Sequence, residues 1–253
     1  MGVALKELIA CLDEELRPEL FKDYCPNGLQ VEGNPDVNRV VSGVTACQAL
    51  IDAAIEQQAD AILVHHGYFW RGEGAVLTGM KKRRIESLLK HNISLIAYHL
   101  PLDAHSELGN NAQLAKRMEW STKGGMEPGK DRSVGHWGEP VQPVTVSEIS
   151  LQLEQVLGRA PLTIEGGDHL IKSIAWCTGA AQSMIDKALA LGVDAFVSGE
   201  ISESTVHFAR ENNIHYFSAG HHATERYGVQ ALGRFLEERF GVEHIFVDID
   251  SPV

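Results

Sequence analysis

Three apolar runs in the sequence end abruptly in residues that can bind a metal or move a proton. Asp60-Ala-Ile-Leu-Val-His65-His66-Gly67 closes on two imidazoles and a glycine. Ser94-Leu-Ile-Ala-Tyr98 empties into His99-Leu-Pro-Leu-Asp103, and Asn213-Ile-His-Tyr-Phe-Ser-Ala219 runs into Gly220-His221-His222-Ala-Thr-Glu225-Arg226. His221 and Glu225 are four residues apart, so on a helix they share one face. Imidazole and carboxylate donors without a thiolate suit Zn, Fe, Mn or Co. A buried pair such as His65 and His66 would repel on protonation, which favours a metal at that position. The donors His65, His66, Asp103, His221 and Glu225 exceed the needs of one tetrahedral ion. A carboxylate can bridge two ions about 3.5 to 4 Å apart, the arrangement of two-metal hydrolases. The expectation is two divalent metal ions per subunit, with His65 and Asp103 on one, His66 and His221 on the other, and Glu225 bridging. His99 is the catalytic candidate: its role is open between proton carrier, hydrogen-bonding support, third imidazole ligand and plain packing.

Other residues carry weaker signals. His105, His207 and His222 read as ordinary surface or packing histidines, although His207 could face a substrate. Lys81-Lys-Arg-Arg84 reads as a solvated helix face, with phosphate binding the alternative. Tyr68-Phe69-Trp70 reads as packing, with stacking on a base or pterin ring the alternative. Cys11, Cys25, Cys47 and Cys177 form no C-x-x-C pair and read as reduced thiols packed as small hydrophobes. No G-x-x-x-x-G-K-[ST] loop, G-x-G-x-x-G fingerprint or G-x-S-x-G elbow occurs, so ATPase, dinucleotide and serine-hydrolase readings lack their main support.

The elements that must position these groups follow from hydrophobic period. Val3, Leu5, Leu8, Ile9, Leu12 and Leu16 predict a helix over residues 3 to 20, limited by Pro18. Residues 24 to 33 read as a turn-rich loop. A strand near Arg39 to Val44, a helix from about Ala46 to Gln58 and the strand ending at His65 make a β-α-β unit, followed by a helix around Lys81 to His91. Adjacent strand residues point to opposite faces, so His65 and His66 can share a site only where the strand has ended, and Gly67 permits the turn. Ligands of parallel α/β sheets gather at such carboxyl ends. Ser121 to Pro143, rich in glycine and proline, reads as a connector.

The second half repeats the first. Ala181-Gln-Ser-Met-Ile-Asp186 matches Cys47-Gln-Ala-Leu-Ile-Asp52, and Val193-Asp-Ala-Phe-Val197 matches Ala59-Asp-Ala-Ile-Leu63, each 134 residues further on. At that offset His65 and His66 fall on Gly199 and Glu200. The fold expected is α/β: two similar α/β domains related by internal duplication, with mostly parallel sheets flanked by helices. Their expected extents are residues 1–125, carrying the His-His and His-x-x-x-Asp groups, and 126–253, carrying Gly-His-His-Ala-Thr-Glu.

With 253 residues, 44% hydrophobic and 22% charged, the chain has material for one large or two ordinary cores. Its net charge of -12 argues against general nucleic-acid or anionic-membrane binding. No apolar stretch approaches the roughly 20 residues of a membrane span. The acidic, amphipathic start is unlike a signal peptide, and Lys6 argues against a myristoyl signal, so the expected location is cytoplasmic.

These residues resemble a known family, the Nif-three-like dinuclear-metal proteins, also called GTP cyclohydrolase type 2 homologues, and in particular its short bacterial members. The resemblance covers nearly the whole chain. It rests on Pro26-Asn-Gly-Leu-Gln-Val-Glu-Gly33, Val64-His-His-Gly67, His99-Leu-Pro-Leu-Asp103, Gly109-Asn-Asn111, Ser198-Gly-Glu200 and Gly220-His-His-Ala-Thr-Glu-Arg226. It implies two similar domains, metal binding at positions matching His65, His66, Asp103, His221 and Glu225, and a ring-shaped homohexamer built as a dimer of trimers or trimer of dimers. The short connector leaves no room for the extra middle domain of some relatives. The family name implies opening of the guanine ring of GTP. The resulting expectation is a metal-dependent hydrolase of a nucleotide or related heterocycle; the rival is a non-catalytic metal-loaded hexameric scaffold or regulatory protein, and a third option is metal storage.

Overall fold

Leu5, Leu8, Leu12 and Leu16 recur on one helical face, and all are buried in α1 (Leu5–Leu16). The helix stops where Arg17 turns left-handed at φ 53° and Pro18 removes the next amide donor. The computed structural model describes residues 2–253 of the chain. Around α1, the first half of the chain forms β1 (Val3–Ala4), β2 (Gly28–Val31), β3 (Asp36–Val37), β4 (Arg39–Thr45), α2 (Gln48–Glu56), β5 (Ala61–His66), α3 (Gly79–Lys90), β6 (Ser94–Ala97) and α4 (Leu100–Asp103). Then come α5 (Asn110–Arg117), β7 (Ser121–Gly125), β8 (His136–Glu139), α6 (Val146–Leu157), β9 (Leu162–Ile164), β10 (Ile174–Cys177), α7 (Ile185–Leu191), β11 (Ala195–Ser198), α8 (Glu203–Glu211), β12 (His215–Ser218), α9 (His221–Phe240) and β13 (Glu243–Phe246).

Two compact units result: residues up to Leu102 with Gly228–Asp250, and Asp103–Tyr227 with Ser251–Val253. This grouping departs from a division at residues 125 and 126, for two reasons of pairing. β13 returns to lie parallel to β4, and β7 pairs with β8 inside the second unit. Residues 121 to 143 are accordingly not a bare connector: β7 and β8 form the antiparallel end of a sheet, carried by a sequence whose glycines hide any strand period. The turn-rich stretch 24 to 33 likewise holds the short β2, bounded by Pro26 and Gly33.

Among the described residues the first unit has a five-stranded sheet ordered β13-β4-β5-β6-β2, with β13, β4, β5 and β6 parallel and β2 antiparallel at one edge. Val41, Ile62, Val64 and Leu95 of its strands pack with Leu50, Ile51 and Ala54 of α2 and Leu88 of α3. The second unit has a six-stranded sheet, β7-β8-β10-β11-β12-β9, with a parallel centre and antiparallel edges.

The duplication extends to the register. Val40 faces Ala61 and Ala61 faces Ser94; in the second unit Ile174 faces Ala195 and Ala195 faces His215. The antiparallel edge repeats too, with Leu29 opposite Ile96 and Thr163 opposite Phe217. Asp60 accepts from the backbone amides of Asn38 and Arg39, and Asp194 does the same for Lys172 and Ser173, so one carboxylate locks the entry to a parallel strand in each copy.

One substitution between the copies changes their acid response. The Gly33 amide donates to Ser94 Oγ at 3.0 Å, whereas its counterpart, the Gly166 amide, donates to His215 Nδ1 at 3.1 Å. His215 Nε2 must then carry the ring proton, which it donates to the His169 carbonyl at 3.1 Å. Burial keeps this ring neutral, holding its pKa below the ordinary 6.5. Below pH 6.5 the unfolded chain takes up a proton that the folded chain refuses, so stability falls as pH falls. Urea denaturation of His215→Ser between pH 8 and pH 5 should show a shallower acid-side loss than the natural protein, with a cost of about 1 kcal/mol at pH 8 from lost packing.

Candidate metal centre

In the first unit, β5 delivers His65 and His66. Its pairing with β6 ends at Val64 opposite Ala97, while pairing with β4 runs two residues past this, to His66 opposite Thr45. Both histidines therefore belong to the strand but stand beyond its partner on one side. Their ring centroids lie 4.6 Å apart, and His99, which follows β6, places its ring 5.1 Å from His65 and 5.7 Å from His66. One ligand atom from each of the three falls within 4.8 Å of the others. Each ring is held through Nδ1: His65 to the Tyr98 carbonyl at 3.0 Å, His66 to Thr45 Oγ1 at 3.2 Å and His99 to Asp23 Oδ1 at 2.7 Å. Any metal bond from these rings would therefore run through Nε2.

Trp70 extends the cluster, its ring 5.0 Å from His99 and 5.9 Å from His66, with its indole N–H donated to the Gly67 carbonyl. Tyr68 turns the other way and packs in the core, its hydroxyl donating to the Ala46 carbonyl. Phe69 between them takes a left-handed φ of 65°, which sends its neighbours to opposite sides.

In the second unit, α4 ends at Asp103 and α9 begins at His221, so that His221 and Glu225 share the face of its first turns. His221 Nε2 lies 3.2 Å from Glu225 Oε2, and its Nδ1 meets Glu200 Oε1 at 2.7 Å. Burial alone would lower the His221 pKa, but Glu225 and Glu200 outweigh it and raise the ring to about 9. Asp103 Oδ1 accepts from Asn110 Nδ2 at 2.9 Å and Thr178 Oγ1 at 3.4 Å. Asp103 and Glu225 are 5% and 3% exposed, and they bring carboxylate oxygens within 4.8 Å of each other.

Two buried carboxylates this close cost several kcal/mol unless positive charge compensates them. The backbone makes room for that arrangement at Gly179, whose φ is +69°: a Cβ there would lie 2.1 Å from Glu225 Oε1 and 3.2 Å from His221 Nε2. Imidazole nitrogens fixed by their far atoms, with two buried carboxylates, are the donor chemistry that fits divalent first-row ions.

Of the residues singled out from sequence, His65, His66 and His99 come together in the first unit, and Asp103, His221 and Glu225 in the second. His105 is instead a turn cap, its Nδ1 accepting from the amides of Glu107 and Leu108. His207 is exposed on α8. Lys81 pairs with Glu73, and Lys82 with Glu86 on the exposed face of α3. Sequence reading passed over Asp23, an isolated loop acid with no spacing signal, and Gly179. Glu200 had a signal, since it stands at the duplicate position of His66.

A duplicated α/β chain with histidine and carboxylate donors at its strand ends defines a recognisable class. The chain belongs to the Duf34/NIF3 (NGG1p interacting factor 3) family, whose model matches residues 3–252. It is 54% identical over 252 residues to a protein of Pseudomonas aeruginosa and 56% identical over 249 residues to one of Vibrio cholerae, each named GTP cyclohydrolase 1 type 2 homolog. The first alignment covers 100% of both chains and the second 98% of both. Among solved structures, protein ybgI, described as of unknown function, matches with a TM-score of 0.95 at 48% identity, covering 99% of this chain and 100% of that one. TTHA1606 of Thermus thermophilus matches with a TM-score of 0.90 at 35% identity, over 99% and 100% of the two chains. Among the described residues no helix is long and apolar enough to cross a membrane.

Replacing Gly179 by alanine should drive Glu225 off its present position and strain the backbone. Thermal unfolding should show a loss of about 1 to 3 kcal/mol, and zinc uptake should weaken in the same variant. Unchanged values for both would show that the glycine is incidental.

Proposed function

We propose that this protein holds two divalent metal ions per subunit through His65, His66, Asp103, His221 and Glu225, and uses them to hydrolyse a nucleotide or a related heterocycle. The observation that carries the reading is the pair of buried carboxylates, Asp103 and Glu225, with His221 beside them. The imidazole cluster of His65, His66 and His99 supports it with three further nitrogen donors within 4.8 Å of one another. His65 and Asp103 would serve one ion, His66 and His221 the other, and Glu225 both. Bound divalent ions supply Lewis-acid polarisation and lower the pKa of water to near neutrality. The chain's own groups do the positioning. Asn110 and Thr178 hold Asp103 from outside, Glu200 holds His221, and Thr45 holds His66. His221 would have to lose the proton that Glu225 and Glu200 now favour, so metal would compete with acid at this ring and bind more tightly as pH rises towards 9.

The relatives' printed name, GTP cyclohydrolase 1 type 2 homolog, supports a guanine nucleotide as the first substrate to try. A non-catalytic metal-loaded homohexamer is the second reading, favoured by the lack of a recognisable phosphate-binding loop in the sequence. Elemental analysis of the natural protein and of His66→Ala, with GTP turnover measured on loaded and chelator-stripped samples, separates them. The proposal expects two ions per chain, turnover that vanishes on stripping, and loss of both in His66→Ala while the fold persists. Activity surviving complete metal removal would sink the hydrolase reading; two ions without turnover would favour the scaffold.

A further inference from the structure

Asp23 is a buried carboxylate that the proposed metal set leaves out. Its oxygens are filled by donors: Oδ1 accepts from the Tyr24 amide at 2.6 Å and His99 Nδ1 at 2.7 Å, and Oδ2 from Asn27 Nδ2 at 2.9 Å and the Leu100 amide at 3.0 Å. Asn27 also turns its Oδ1 to the His99 amide at 2.7 Å, so the loop before β2 grips the backbone and ring of His99 together. Cys25 lies close enough to form a third member of a cluster with Asp23 and His99. That cluster is a poor cation site, because the Asp23 oxygens already have their donors and burial pushes the Cys25 thiol up to about 12. A carboxylate saturated in this way orients its neighbour.

We propose that Asp23 is a positioning residue, which fixes the proton of His99 on Nδ1 and so presents the Nε2 lone pair to the metal pair that His65 and His66 help to hold. The inference rests on the metal-centre reading given above. The physical reason is tautomer choice: an acceptor-only carboxylate at 2.7 Å requires a donor on the ring, and a neutral imidazole with Nδ1–H has its lone pair on Nε2. Ring partners of this kind raise the basicity of a metal-binding imidazole and hold its rotamer, and their loss typically weakens metal binding about 10- to 100-fold. In the second unit Glu200 meets His221 Nδ1 at 2.7 Å with the same chemistry.

Asp23→Asn tests the idea with little change in shape. Its amide can keep the Asn27 and Leu100 donors on its oxygen only by turning its N–H2 to the other side, where the Tyr24 amide loses its acceptor and His99 becomes the acceptor at Nδ1 and moves its proton to Nε2. Neutron diffraction from metal-free, deuterium-exchanged crystals should find deuterium on Nδ1 of His99 in the natural protein and on Nε2 in Asp23→Asn. Zinc competition against a chromophoric chelator should show affinity about 10- to 100-fold lower in the variant. Deuterium on Nε2 in the natural protein overturns the proposal even if the variant fails to fold. So does an Asp23→Asn protein that binds zinc as tightly as its parent. Failure of the natural protein to bind zinc would overturn the metal-centre reading and this inference with it, an outcome distinct from equal binding by both proteins.

Discussion

Asp103 and Glu225 approach each other almost fully buried, and Asn110, Thr178, Gly179 and His221 are arranged around that pair. Neither acid would persist there as an isolated anion, since the cost of desolvating a charge grows when a like charge sits beside it. The protein supplies partial compensation: an amide and a hydroxyl for Asp103, and an imidazole raised to about 9 for Glu225. Gly179 clears space that a side chain would fill. A proton on His221 balances the charge at neutral pH, and a divalent ion would balance it more fully. The surrounding polar contacts thus serve as supports for charge as well as for shape.

The duplicated sheets show how one scaffold acquires different chemistry at equivalent points. Registers agree across the central strands of both copies, and the Asp60 and Asp194 locks recur. What differs is what projects past the strand ends. The first copy ends β5 in His65 and His66, and the second follows β11 with Gly199 and Glu200. Glu200 there is a support for His221, and Gly199 permits close approach, since a Cβ would lie 2.6 Å from the Gly179 carbonyl. Packing constrains the strand interiors, whereas the residues just beyond them are released to vary, which is why function collects there.

The strands and helices of each copy were legible because burial imposes a period. Arg39 to Val44 and Ser94 to Tyr98 read correctly within a residue, and the repeat of Cys47–Asp52 at Ala181–Asp186 exposed the duplication directly. The grouping of His65 with His66, and of His221 with Glu225, followed from strand and helix geometry. What escaped was set by distant pairing. β7 and β8 lie in a glycine-rich stretch, and β2 in a turn-rich one, so only their sheet neighbours reveal them. The return of β13 to β4, which moves the boundary of the first unit, joins residues 204 apart in the sequence and leaves no local trace. Asp23 escaped for a similar reason: its partner His99 is 76 residues away, and an isolated acid before a tyrosine carries no pattern.

The proposal that these imidazoles and carboxylates serve one pair of metal ions is best tested by anomalous diffraction from crystals of the zinc-loaded protein, recorded above and below the zinc absorption edge. Two anomalous peaks per chain are expected, about 3.5 to 4 Å apart, one bonded to His65 and Asp103, the other to His66 and His221, with Glu225 touching both. A single peak, or peaks that leave Asp103 and Glu225 without an ion, would contradict it.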